Sequence, residues 1–107
     1  MGERFMRIMV FFDLPVSSKK RRRAYAQFRK FLIESGYIML QYSVYSRTVR
    51  NHDDAASYLR RLEAKVPSEG AVRAMLVTEK QYASMHLLVG ERMKEENLLD
   101  TKTLIEL

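Results

Sequence analysis

The chain reads as an α+β fold, a single sheet covered by two helices. Three observations carry that reading. Apolar residues run or alternate with strand periodicity over residues 6–12, 37–49 and 71–78. Between these segments they recur at helical spacing, first among Ala24, Tyr25, Phe28, Phe31 and Leu32, then among Ala55, Tyr58 or Leu59, Leu62 and Val66. Pro15, Gly36, Pro67 and Gly70 fall at the joints, where proline ends a ladder and glycine takes a left-handed cap.

The elements follow in order. Residues 6–12 form an apolar run broken only by Arg7, too short for a buried helix and rich in strand formers. It ends at Asp13-Leu14-Pro15. Ser17 or Ser18 caps the first helix. Arg22, Arg23, Gln27, Arg29, Lys30 and Glu34 lie mainly opposite its apolar stripe, and Gly36 supplies the C-terminal cap. Residues 37–49 are aromatic and β-branched and form the second strand region. Asn51, Asp53 and Asp54 open the second helix, with an acceptor and negative charge at its positive end. Residues 71–78 form the next strand. Residues 78–83 suggest a turn of helix, and residues 85–89 a short strand. Residues 91–102 are polar, and residues 104–107 are an apolar tail. This order predicts a ferredoxin-like βαββαβ sandwich with short extra C-terminal strands. It is one domain over residues 1–107, with a core over about 5–90 and a polar linker and C-terminal strand over 91–107.

Composition narrows the function. A chain of 107 residues, 47% hydrophobic, has one globular core. It has no cysteine, which excludes disulfides, a thiolate zinc site and a cysteine nucleophile. No apolar run approaches the ~18 residues needed to span a membrane, and the first residues lack a signal-peptide layout, so a cytoplasmic protein is expected. The formal net charge is +6. Lys19, Lys20, Arg21, Arg22 and Arg23 form one basic block, with Arg29 and Lys30 further along the same helix. Clustered cations give a local field suited to nucleic acid, the more so because basic residues are slightly unfavourable at a helix N-terminus. The alternative is a solvated helix face.

Strand alternation leaves the sheet with a second apolar face. Ile8, Val10 and Phe12 share one side, and Arg7, Met9, Phe11 and Asp13 the other. A continuous second strand sets Leu40, Tyr42 and Val44 against Met39, Gln41, Ser43 and Tyr45. In the third, Arg73, Met75 and Val77 oppose Val72, Ala74 and Leu76. Two helices cover one face, so the face with Met9, Phe11, Met39, Tyr45, Met75 and Val77 needs a cover. A sheet-to-sheet homodimer supplies it, or else the C-terminal segment folds back. Asp13 ends the first strand on this face. Asp before Leu-Pro is ordinary turn chemistry, and one carboxylate is a poor magnesium site. Two copies converging on a twofold axis change that, and can hold one hydrated ion that promotes attack on a phosphodiester. Gln41, Ser43 and Tyr45 share the face with Asp13. They can orient a metal water or phosphate, or satisfy one another across the interface.

Three segments carry a family resemblance: Met6-Arg7-Ile8-Met9-Val10-Phe11-Phe12-Asp13-Leu14-Pro15, then Gly36-Tyr37-Ile38-Met39-Leu40-Gln41-Tyr42-Ser43-Val44-Tyr45, then Leu76-Val77-Thr78-Glu79-Lys80-Gln81-Tyr82 with Gly90-Glu91-Arg92. In this order and in a chain of this length they resemble the second, small CRISPR adaptation protein, a family of endoribonucleases, and most of all its members from type II systems. The resemblance implies a ferredoxin-like homodimer and a Mg2+ ion, with Mn2+ as the alternative, shared through Asp13 of each chain. It also implies a complex with the CRISPR integrase, in which the dimer bridges integrase units and helps hold DNA. It leaves open a metal-dependent endonuclease, on double-stranded DNA or single-stranded RNA, and a non-catalytic scaffold. A toxin-like small ribonuclease unconnected to CRISPR is a further alternative.

Other chemistries find little support. His52 and His86 stand alone, without an acid or a second histidine to build a metal-free ribonuclease. Four scattered glycines make no phosphate loop, and no nucleophile elbow is present. The third strand lacks the aromatics of an RNA-recognition fold.

Overall fold

A computed structural model describes residues 5–91. Strand β1 (Met6–Asp13) leads into helix α1 (Lys19–Glu34), then β2 (Ile38–Gln41), β3 (Val44–Val49), α2 (His52–Glu63), β4 (Ala71–Thr78) and the short α3 (Glu79–Ala83). The sheet order is β2-β3-β1-β4, and every neighbouring pair is antiparallel. This is the expected ferredoxin-like arrangement, with β1 central and β4 at one edge.

Local chemistry accounts for the boundaries. The Ser18 hydroxyl accepts from the Arg21 amide at 3.1 Å and starts α1. Gly36, at φ +88, closes it: its amide reaches the Ile33 carbonyl at 3.1 Å and the Tyr37 amide reaches Leu32 at 3.0 Å, a Schellman cap. The Asn51 side chain accepts from the Asp54 amide at 2.8 Å and starts α2. A reciprocal capping box joins Thr78 and Gln81 at the head of α3.

The core forms between one sheet face and the two long helices. Ile8, Val10, Phe12, Tyr45 and Val49 from the sheet meet Phe28 and Leu32 of α1 and Ala55 and Leu62 of α2. Val66 lies beyond the end of α2 and is exposed, so the apolar stripe stops one turn early.

Three expectations need correction. Residues 37–49 are not one strand but a hairpin, with Tyr42 and Ser43 at its tip and a register shift between Met39 and Gln41. Ser43 adopts φ +65, which turns the chain. The register against β1 decides the faces: Tyr45 pairs with Val10 and Met39 with Tyr45, so both lie on the helix-facing side, whereas Val44 and Ser46 sit beside Phe11 and Met9. Tyr45, at 1% exposure, is therefore a core residue and does not share a face with Asp13. Residues 85–89 are no strand. They follow α3 irregularly, with Leu88 and Val89 strongly exposed.

The second face is also less bare than alternation suggests. Helix α3 packs against β1 and β4. Arg7 points into this contact, bonds Glu79 at 2.7 Å and lies 3.8 Å over the Tyr82 ring. Met9 is buried, and Phe11 and Met75 remain exposed. Residues 92–107, including the expected C-terminal strand and the tail 104–107, lie outside the described residues.

Candidate nucleic-acid interface and strand-end carboxylate

Asp13 owes its position to its neighbours on both sides. Phe12 is anchored in the core, its ring edge-on to Tyr25 and Phe28 at 5.9 and 5.2 Å and stacked on Tyr45 at 5.7 Å. Strand alternation then turns Asp13 to the opposite, exposed side. Its ladder partner is Ala71. The preceding Gly70, at φ +91, lies so close that a Cβ there would sit 2.6 Å from the Asp13 carbonyl oxygen. On the other flank the Phe12 amide donates to the Ser43 carbonyl at 3.0 Å, so the β2–β3 turn is tied to the same strand end. Ser43 is thus tied by the turn to the residue before Asp13, whereas Gln41 pairs with Val44 and lies one strand further from β1.

The Asp13 carboxylate makes no hydrogen bond or ion pair among the described residues. Arg73 is exposed on the same face, one diagonal away through the Phe11–Arg73 pair. No group of three or more acidic, histidine or cysteine side chains gathers here or elsewhere among the described residues. One chain therefore offers a hard cation a single exposed carboxylate plus the polar tips of the adjacent turn. Such a donor set fits a hydrated Mg2+ or Mn2+ only when a second carboxylate joins it.

The basic block divides by role. Arg21 is engaged: Nε and Nη2 grip the two Glu69 oxygens at 3.1 and 3.0 Å, and Nη1 donates to the Ser17 hydroxyl at 3.0 Å. This fork clasps the start of α1 to the loop before Gly70. Its hydrogen bonds hold the Glu69 carboxyl below its ordinary range and raise the Arg21 guanidinium. Arg22 donates to the Val16 carbonyl at 3.1 Å. The side chains of Lys19, Lys20 and Arg23 make no hydrogen bond or ion pair among the described residues. Arg29 donates through Nε to the Tyr45 hydroxyl at 2.9 Å, and Lys30 projects beside it. Lys19, Arg22, Arg23, Arg29 and Lys30, at spacings of three, four and seven residues, fall on one outward stripe of α1.

Sequence reasoning missed two cationic contacts. Arg7 with Glu79 and Tyr82 fastens α3 to the sheet. Arg47 and Arg61 both stack on the Tyr58 ring, at 3.7 and 4.5 Å, and Arg47 also donates to the Ser35 carbonyl at the end of α1. Only the i,i+3 spacing of Tyr58 and Arg61 on α2 hinted at the second contact. His52 is exposed at the start of α2 and His86 in the segment after α3, and neither belongs to a group of three or more acidic, histidine or cysteine side chains among the described residues.

Comparison with known proteins bears directly on this geometry. The family model described as CRISPR associated protein Cas2 matches residues 6–85. A protein of Acidovorax ebreus named CRISPR-associated endoribonuclease Cas2 is 56% identical over 91 residues, covering 85% of this chain and 89% of that one. Proteins of the same name from Ligilactobacillus salivarius and Treponema denticola are 45% and 49% identical. The first covers 94% of this chain and 99% of the relative, the second 84% and 89%. A crystal structure of Cas2 superposes with a TM-score of 0.50 at 19% identity, covering 84% of this chain and 91% of that one, and shares the fold. Among the described residues no helix is long and apolar enough to cross a membrane.

Proposed function

The chain belongs to the CRISPR-associated Cas2 family, and on that premise we propose that it is a homodimeric nuclease subunit of CRISPR adaptation. It hydrolyses phosphodiester bonds at Asp13 with Mg2+ and holds nucleic acid along α1. The family match removes the toxin-like ribonuclease as an alternative. The observation that carries the reading is the placement of Asp13: an exposed carboxylate with no partner among the described residues, fixed at a strand end by an anchored phenylalanine on one side and a bare glycine on the other.

Two copies meeting on the Phe11–Met75 face supply both missing parts. They cover the exposed apolar side chains and bring a second Asp13 carboxylate to the first. The two Asp13 carboxylates would hold a divalent ion between them, which would supply the positive charge to polarise a phosphoryl group and a water. The chain's own residues do the rest. Asp13 holds its oxygens in place because its backbone is fixed on both sides. Arg73 draws a phosphate toward the face. Lys19, Arg22, Arg23, Arg29 and Lys30 bind flanking phosphates and set the strand's register.

A second reading has the dimer bridging the integrase on DNA without hydrolysis. It is favoured by one asymmetry: the cationic stripe is complete within one chain, whereas the carboxylate site is not. A cleavage assay on single-stranded RNA and on duplex DNA, with Mg2+, separates the two. Metal-dependent cleavage lost in Asp13→Ala supports the nuclease. Binding without cleavage in both proteins leaves the scaffold.

A further inference from the structure

The hairpin tip bears a feature that the Asp13 chemistry does not use. Tyr42 is 83% exposed, the most exposed aromatic side chain among the described residues. One exposed aromatic alone is ordinary. This one borders a groove of about 660 Å³ between the turn and α1, lined by Tyr25, Arg29, Lys30, Ile33, Glu34 and Tyr42. That is the scale of sites that take small organic ligands, ~300–1,000 Å³. The groove pairs a flat apolar wall with two cations.

The cations are not incidental. Arg29 is oriented by its bond to the Tyr45 hydroxyl, which leaves its terminal N–H groups without partners among the described residues. Lys30 is likewise unpaired among them. The stripe from Lys19 to Lys30 leads into the groove along roughly 16 Å of helix. Glu34 is the one acidic residue in the lining, one helical turn beyond Lys30. Phosphates are therefore drawn to the Arg29–Lys30 side and repelled from the Glu34 side. That leaves the Tyr42 ring and Ile33 for a planar apolar group. The turn that projects Tyr42 holds Ser43 at φ +65, a conformation that L side chains rarely adopt, and it is bonded to the strand bearing Asp13.

We propose that this groove binds an unpaired nucleobase stacked on Tyr42, with its flanking phosphates on Arg29 and Lys30. The chain then distinguishes single strands from duplex. A duplex keeps its bases stacked inside and offers the ring only its backbone, whereas a single strand offers a π-face to any exposed tyrosine. The inference rests on the nucleic-acid reading above and deepens it, by naming the form of the polymer.

The test measures fluorescence anisotropy of the full chain with a labelled single-stranded oligonucleotide, as RNA and as DNA, and with the matching duplex. Tyr42→Ser should weaken single-strand binding about ten-fold or more and leave duplex binding and the salt slope unchanged. Tyr42→Phe should restore it, since stacking needs the ring and not the hydroxyl. Lys30→Gln should instead lower the slope of log affinity against log salt by about 0.7 on a single strand. Equal affinity of wild type and Tyr42→Ser for single strands overturns the proposal, and so does an equal weakening on both polymers. Failure to bind the integrase with unchanged oligonucleotide affinity also overturns it and assigns the ring to a protein interface. If the wild type binds neither polymer, the nucleic-acid reading fails along with it. A weakening restricted to RNA or to DNA supports the proposal and identifies which strand the groove takes.

Discussion

Gly70→Ala tests how Asp13 is held. At φ +91, the left-handed conformation alone costs an alanine about 1–2 kcal/mol. Its Cβ would also stand 2.6 Å from the Asp13 carbonyl oxygen and 2.9 Å from Leu14 Cδ2. Ordinary contact begins near 3.4 Å, so the end of β1 must retreat by roughly 0.8 Å. Backbone cannot give way as a side-chain tip does, and the total decrease in stability should be about 2–4 kcal/mol. Gly36→Ala is the control. It has nearly the same φ, +88, but its Cβ meets only the tip of Arg47, at 2.9 Å, so it should be destabilised by about 1–2 kcal/mol. Thermal unfolding of the two variants reads the difference. A displacement approaching ~1 Å at the carboxylate should also cut metal-dependent cleavage by about a hundred-fold in Gly70→Ala. The reasoning is refuted if Gly70→Ala is no less stable than Gly36→Ala and cleaves at the wild-type rate.

The Tyr37 hydroxyl is buried without a hydrogen-bond partner, so Tyr37→Phe should gain about 1 kcal/mol in denaturant unfolding. Burial also pushes the Tyr37 phenol up from 10.0 to about 12. The folded state holds that proton more tightly than the unfolded chain, so this contribution is complete below about pH 10 and disappears as pH rises from 10 toward 12. Tyr37→Phe should lack that alkaline decline, and parallel profiles would contradict the assignment. Glu79→Gln strands the largely buried Arg7 guanidinium and should cost about 1–3 kcal/mol, much of it recovered when Arg7→Met is added. Arg22→Gln with Arg23→Gln should lower the salt slope of duplex binding by ~0.9 for each phosphate that is no longer neutralised. Arg21→Gln, whose guanidinium is already held by Glu69, should leave that slope unchanged.

What the sequence revealed and what it hid divide along physical lines. Helix ends were legible because Ser18, Gly36 and Asn51 act on backbone groups within a few residues. The long strands β1 and β4 were legible for a similar reason, since their alternation and flanking prolines and glycines are local. The hairpin was not: two-residue turns are usually marked by Asn or Gly, and here Tyr42 and Ser43 make the turn. Alternation groups Met39 with Tyr45 but cannot say which side of the sheet the group takes; the long-range pairing of Tyr45 with Val10 decides that, and it sets both on the core face. Residues 85–89 carry a strand's composition but find no partner strand among the described residues, and composition cannot show that. The clasps Arg7–Glu79 and Arg21–Glu69 join residues 72 and 48 positions apart, and no periodicity records such pairs. Asp13 stood out through family resemblance, because Asp-Leu-Pro alone is ordinary turn chemistry.

The central claim is that two Asp13 carboxylates share one divalent ion across a dimer. Calorimetric titration of the purified full chain with Mg2+, alongside Asp13→Asn, tests it most directly. The asparagine keeps the shape and removes the charge, so the variant should fold and dimerise as the wild type does. The account predicts one Mg2+ for every two wild-type chains and no binding by Asp13→Asn. One ion per chain, or undiminished binding by Asp13→Asn, would contradict it.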